Sequence, residues 1–252
     1  MLLTVAVLAL GVALVLVAVL VTRAVHAPVS ASVDQSVPGP VLVVPGYGAG
    51  PGSVSPLVDE LRREGRSVTV LQDPGGGTGD LRAQGARLAD LARRTMTAQG
   101  AASVDLVGYS AGGVVARVFV RDDGGASVVR RVLTVGSPHH GTDVAVLAQD
   151  LAGSCPAACE QLATGSDLLR RLDAGDETPP GPRWTTVRSS FDQVVVPVDS
   201  AALGGALNLS VQDLCPAART SHDGLPGDPA VLATLRTALG VALPHRPAQV
   251  SC

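Results

Sequence analysis

Lysine is absent from this 252-residue chain, and aromatic side chains are nearly so: one tryptophan, two tyrosines and two phenylalanines. All nineteen basic residues are arginine, and twenty-two acidic residues outnumber them for a net charge of -3. A nucleic-acid groove needs a positive field along the backbone and flat rings on which bases stack. With neither, no nucleic-acid partner is expected. The missing lysine also bears on Gly75-Gly76-Gly77-Thr78-Gly79, which lacks the Lys-Ser/Thr ending of a phosphate-binding loop and fits no dinucleotide fingerprint. That run reads as a flexible connection ending at a helix cap, Asp80. Internal repeats are absent too.

What is present begins with a long apolar run. Met1 to Thr22 carry no charged side chain, a length sufficient to cross a bilayer as a helix. The lack of a basic start favours an uncleaved anchor, while Val25-His26-Ala27 and Val29-Ser30-Ala31 offer small-residue cleavage sites. Residues 1–31 are read as a signal peptide or a transmembrane anchor, with membrane contact through residues 1–22 if uncleaved. Under either reading the remainder is exported, secreted or anchored to the outer face of the cell membrane. Residues 32–40, polar and proline-containing, read as a linker, and 41–252 as one domain.

Four cysteines suit an oxidising compartment. Three connectivities exist; the four-residue spacing of Cys155 and Cys159 brings their α-carbons within disulfide range in one helical turn. Cys215 and Cys252 then form the second pair and pin the C-terminus. Cys155-x-x-x-Cys159 has no second ligand pair of suitable spacing for zinc.

Val41–Val44, Val68–Leu71, Val104–Val107 and Val132–Val135 are short, near-continuously apolar runs, as strands of a buried parallel sheet are. Thr185–Val187 and Leu207–Val211 are further strand candidates. Helix-period stretches lie between them at Val54–Glu64, Leu81–Thr97 and Gly113–Arg121, and a last helix has Asp228 as cap, Pro229 as first residue and Gly240 as stop. The alternation predicts an α/β domain: a mostly parallel, doubly wound sheet flanked by helices, preceded by the N-terminal hydrophobic segment.

Gly108-Tyr109-Ser110-Ala111-Gly112 falls between one of these strands and one of these helices, the context a nucleophile elbow requires. A serine nucleophile needs a base within hydrogen-bond reach and a third group to orient that base. His222 is the histidine that follows the last strand and precedes the last helix, and is the candidate base. Asp192, in the loop after Thr185–Val187, is the candidate acid; Asp199 and Asp213 are its rivals. The oxyanion of an acyl-transfer intermediate needs two preset N–H donors. Ala111, next to the nucleophile, and Tyr47, in Pro45-Gly46-Tyr47-Gly48 after the first strand, are placed to give them.

Taken serially, Pro40–Gly48, Val107–Gly113, Val135–Thr142, Ser190–Val195 and Ser221-His222 resemble the motifs of small secreted bacterial triacylglycerol lipases and esterases of the α/β-hydrolase superfamily, the lipase class 2 type. The resemblance spans about Pro40 to Leu239. It implies an α/β-hydrolase fold and carboxylic ester hydrolysis through an acyl-enzyme on Ser110, with Asp192 and His222 completing the triad and the amides of Tyr47 and Ala111 forming the oxyanion hole. It implies no cofactor and no metal, and an ester or lipid substrate; a monomer is expected. Ser137-Pro138-His139-His140-Gly141-Thr142 becomes a supporting loop. Pro45 departs from the family pattern, which often has histidine there. An acyltransferase or polyester hydrolase would use the same triad, and a catalytically silent membrane-tethered binding module is the alternative of another class. The long connection Asp143–Pro180, with Leu162, Leu168, Leu169 and Leu172, forms either a wall of an acyl pocket or a solvent-facing helix. It leaves little chain for a large lid, so open access without strong interfacial activation is expected.

Overall fold

Both faces of the sheet are covered, which is why a central strand such as β1 reads as an unbroken apolar run. In β1 (Val41–Val44) all four residues are buried; Val41 and Val43 enter one core, Leu42 and Val44 the other. The computed structural model describes residues 33–152 and 155–252; the apolar segment 1–22 and its expected cleavage sites lie outside them. Among the described residues no helix is long and apolar enough to cross a membrane.

The remaining strands are β2 (Val68–Val70), β3 (Val104–Tyr109), β4 (Val129–Val135), β5 (Arg183–Arg188) and β6 (Leu207–Ser210). All pair in parallel, in the order β2-β1-β3-β4-β5-β6. The helices are, in chain order, α1 (Ser55–Arg63), α2 (Leu81–Gln99), α3 (Ala111–Asp122), α4 (Asp143–Ala152), α5 (Ala157–Leu162), α6 (Asp167–Asp173), α7 (Val211–Leu214) and α8 (Pro229–Leu239). Leu57 and Leu61 of α1 and Val231 and Leu235 of α8 pack on Val43, Val107 and Leu133. On the other face Leu88 of α2, Val115 and Phe119 of α3 and Leu169 of α6 pack on Leu42, Leu106 and Val132. Asp80 caps α2 by accepting from Arg82 N, and Asp228 caps α8 by accepting from Ala230 N, as their sequence positions predict.

Three differences from the sequence reading have physical causes. β4 begins three residues earlier than the apolar pattern indicates, at Val129, and carries Arg130 and Arg131 fully buried. Arg130 is neutralised by Asp105 of β3 (2.6 Å) and donates to the carbonyl oxygens of Leu239 (2.7 Å) and Gly240 (2.9 Å) at the end of α8. Val211 leaves the sheet: Ser210 and Asp213 form a reciprocal capping box that starts α7. Residues 35–40, read as linker, are fastened to the domain, because Arg130 binds Gln35 O (3.1 Å), Arg66 binds Gly39 O (2.7 Å) and Asp105 N binds Pro40 O (2.9 Å).

The chain leaves β1 toward β2 on one side and resumes with β3 on the other. The carboxyl ends of β1 and β3 therefore flank the topological switch point, where open α/β sheets bind ligands.

Candidate active site

Ser110 stands at that switch point, between β3 and α3, with φ 54° and ψ -127°. It is the one non-glycine residue of positive φ among those described, a conformation held only where the surroundings enforce it. Its N–H donates to Val135 O at 2.8 Å. The flanking glycines make the turn sterically feasible: a Cβ on Gly112 would stand 2.1 Å from Val44 O, and one on Gly108 2.5 Å from Gly113 Cα.

His222 opens the turn between α7 and α8 and is buried. Its Nε2 lies 3.0 Å from Ser110 Oγ and its Nδ1 2.7 Å from Asp192 Oδ2. Donation of Nδ1–H to the carboxylate leaves Nε2 with the lone pair that faces the serine hydroxyl. Asp192, in the loop after β5, is held in turn: its Oδ1 accepts from Val194 N (2.8 Å) and Val195 N (2.9 Å). Its rivals are engaged elsewhere. Asp199 is 82% exposed and pairs with Arg188, and Asp213 accepts from Ser210 N at 2.8 Å.

Ala111 is the first residue of α3, so its N–H has no helical acceptor. Tyr47 follows β1 beside Gly46, where a Cβ would lie 2.9 Å from Ser110 Cβ and 3.4 Å from its Oγ. Neither N–H donates to another described residue. The chemistry available is a serine hydroxyl paired with an oriented imidazole, two free amides nearby, and an adjoining apolar space.

That space is a cavity of about 390 Å³ reaching from Ser110 along Tyr47, Val144 and Ala148 to Leu162 and Val194. The Cys155–Cys159 disulfide is in its wall, and Cys215–Cys252 forms the other bridge (Cα–Cα 5.8 and 5.7 Å). The long connection lines this cavity through Val144, Ala145 and Ala148 of α4 and Cys159 and Leu162 of α5, while Leu147 of α4 is exposed. Leu168, Leu169 and Leu172 instead turn into the core on α6.

His139 and His140 stay away from Ser110. His139 is fully buried with Nε2 2.9 Å from Thr134 Oγ1, and burial, with the charges of Arg117 and His140, holds its pKa well below the ordinary value. His140 Nε2 meets Glu177 Oε1 at 2.6 Å, and Arg117 binds both His139 O (2.8 Å) and Asp173 (3.0 Å). Ligand-type atoms of His140, Asp173 and Glu177 lie within 4.8 Å of one another, and they contact one another or Arg117 directly. Pro138 and Thr142 of the same loop line the Ser110 cavity. Thr142, the last residue of this motif, has a further part: its Oγ1 donates to Val194 O (2.6 Å) and accepts from Val196 N (3.2 Å), tying the start of α4 to the loop of Asp192.

Residues 81–152 match the family described as PGAP1-like alpha/beta domain. No curated protein matches the chain. Among solved structures, the chain is similar to Aspergillus fumigatus lipase B, with a TM-score of 0.68 and 21% identity over 85% of this chain and 55% of that one. It thus spans little more than half of that lipase. Bacillus licheniformis lipase BlEst2 in mature form gives a TM-score of 0.61 at 19% identity, covering 76% of this chain and 89% of that one. A putative cell surface hydrolase from Lactobacillus plantarum gives 0.55 at 14%, covering 80% and 91%. With β3, the Ser110 turn and α3 at its centre, the chain has the α/β-hydrolase fold and is similar to lipases of that superfamily.

Proposed function

We propose that this protein is a serine hydrolase of carboxylic esters, an esterase or lipase acting on lipids or acylglycerols. The observation that carries the reading is the unbroken chain Asp192–His222–Ser110, with contacts of 2.7 and 3.0 Å, ending at an apolar cavity. Ser110 Oγ attacks the ester carbonyl carbon while His222 Nε2 takes its proton. The resulting oxyanion is stabilised by the N–H groups of Tyr47 and Ala111. Collapse breaks the bond to the alcohol, which leaves with the proton from His222, and the acyl group remains on Ser110. Water then attacks the acyl-enzyme, with His222 again as base, and releases the carboxylic acid. Asp192 keeps Nδ1 protonated and stabilises the imidazolium. The acyl chain occupies the cavity beside Val144, Ala148 and Leu162.

Two disulfides are compatible with export, and the protein is proposed to act outside the cytoplasm as a monomer, free or held by residues 1–22. The test is hydrolysis of p-nitrophenyl esters from acetate to palmitate by the purified chain and by Ser110→Ala. Activity lost in the variant is the expected result, and the preferred chain length divides esterase from lipase. Equal activity in both proteins would rule the reading out. Diversion of acyl groups to an added alcohol in preference to water would indicate an acyltransferase.

A further inference from the structure

Gly75-Gly76-Gly77-Thr78-Gly79 is not part of the lining of the Ser110 cavity, yet it presses on the loop that follows β1. Gly77 has φ +77°, and a Cβ there would stand 2.7 Å from Gly46 O and 3.6 Å from Tyr47 Cα. The carbonyl of the Gly46–Tyr47 peptide is therefore packed against Gly77. In a trans peptide C=O and N–H point to opposite sides, so this contact, together with the Ala49 N–H that donates to Gly46 O at 3.3 Å, turns the Tyr47 N–H away from Gly77. The other flank of Gly46 lies against the Ser110 side chain.

Within the run Thr78 bonds locally, its hydroxyl and N–H both donating to Gly75 O (2.8 and 3.2 Å), while Gly77, which has no side chain of its own, is pinned from outside. Asp73 Oδ2 accepts the Gly77 N–H at 2.8 Å, and Arg87 pairs with the same carboxylate. Gln84 of α2, only 3% exposed, donates its Nε2 to Gly77 O at 3.2 Å and to Gly79 O at 2.9 Å. Thr78 O accepts from Ala158 N of α5 at 3.1 Å.

We propose that Gln84 and Asp73 are positioning residues for the oxyanion hole: they fix Gly77 against Gly46 O, and so keep the Gly46–Tyr47 peptide from flipping its N–H away from the developing oxyanion. The inference rests on the esterase reading with Tyr47 as donor. A flipped peptide withdraws one donor and presents a carbonyl oxygen to an oxyanion, and loss of one such donor lowers kcat by roughly a hundred- to a thousandfold. Loosening the buttress populates the flipped form in part, so a smaller loss, roughly ten- to a hundredfold, is expected.

The experiment compares Gln84→Ala and Asp73→Asn with the unaltered chain on p-nitrophenyl butyrate, with functional serine counted by a p-nitrophenyl phosphonate. Affinity for a trifluoromethyl ketone, whose hemiketal carries the oxyanion, is measured in parallel. The expected result is a lower kcat per titrated serine, KM within about twofold, and a loss of ketone affinity matching the loss in kcat. A merely structural role would lower the count of functional serines and leave kcat per serine and ketone affinity alone, which would overturn the proposal. Asp73→Asn keeps the shape of the side chain and answers the question if Gln84→Ala does not fold. Hydrolysis that persists in Ser110→Ala would instead remove the parent reading, and with it the oxyanion this loop serves.

Discussion

The Tyr109 hydroxyl donates to the backbone carbonyl oxygen of His222 at 3.2 Å, and its ring lies 5.2 Å from the imidazole, centroid to centroid. Burial, reinforced by the charges of Asp223 and Asp192, raises its pKa well above that of an ordinary tyrosine, so it stays a neutral donor at any working pH. The contact joins the end of β3, which carries Ser110, to the turn that carries His222. Tyr109→Phe keeps the ring and removes one hydrogen bond, a loss of about 1 kcal/mol. Steady-state kinetics should show kcat about fivefold lower with KM unchanged; an unchanged kcat would mean that packing alone holds the turn.

On the proposed mechanism Ser110, His222 and Asp192 act as a unit, so the effects of their removal are not additive. Ser110→Ala and His222→Ala should each lower turnover by on the order of 10⁴ to 10⁶, and the double variant should fall little further. Asp192→Asn, which leaves the wrong proton on Nδ1, should cost on the order of 10⁴. Single-turnover rates on one ester measure all four proteins, and strict additivity would show that the roles are misassigned.

Ala148 of α4 lines the cavity together with Ser110 and with Leu162 of α5. Ala148→Phe puts a ring into the cavity that the proposed reading gives to the acyl chain, and a long chain needs more of that space than an acetyl group does. A single methylene in a hydrophobic pocket is worth about 1–3 kcal/mol of discrimination. The ratio of kcat/KM for palmitate over acetate should therefore fall at least about tenfold. A ratio unmoved by the substitution would place the acyl chain elsewhere.

Side-chain patterns made the sheet and the Ser110, Asp192 and His222 positions legible, because each is a local signal: β-branched runs, a glycine-flanked serine, and the order of acid and base along the strands. What stayed hidden depends on partners remote in sequence. Arg130 looks like the end of a loop until Asp105 and the carbonyls of α8 are seen around it. Residues 35–40 look like a tether because their bonds run through backbone oxygens to Arg66 and Arg130. Gly77 reads as flexible since nothing in a glycine run announces Gln84 or Asp73. Val211 belongs to an apolar run, and only the Ser210–Asp213 capping box takes it out of the sheet.

His139 gives the stability of the fold a pH dependence of definite sign. Desolvation first, then the charges of Arg117 and His140, keep the buried imidazole neutral well below the ordinary pKa of 6.5. In the unfolded chain the same group takes up a proton near its ordinary pKa. Below about pH 6.5, and until the folded-state pKa is reached, the unfolded state therefore binds one proton more than the native state. Stability from this source is complete above pH 6.5 and declines as pH falls, by about 1.4 kcal/mol per pH unit. Depressed carboxylates such as Asp213, held down chiefly by its hydrogen bonds to Ser210, lose their contribution only below about pH 4, so the two effects separate. Urea midpoints at pH 7.5, 6.5 and 5.5 should fall with pH in the unaltered chain, and the decline should be shallower in His139→Gln, which has no proton to gain. Parallel declines in the two proteins would assign the loss to another group.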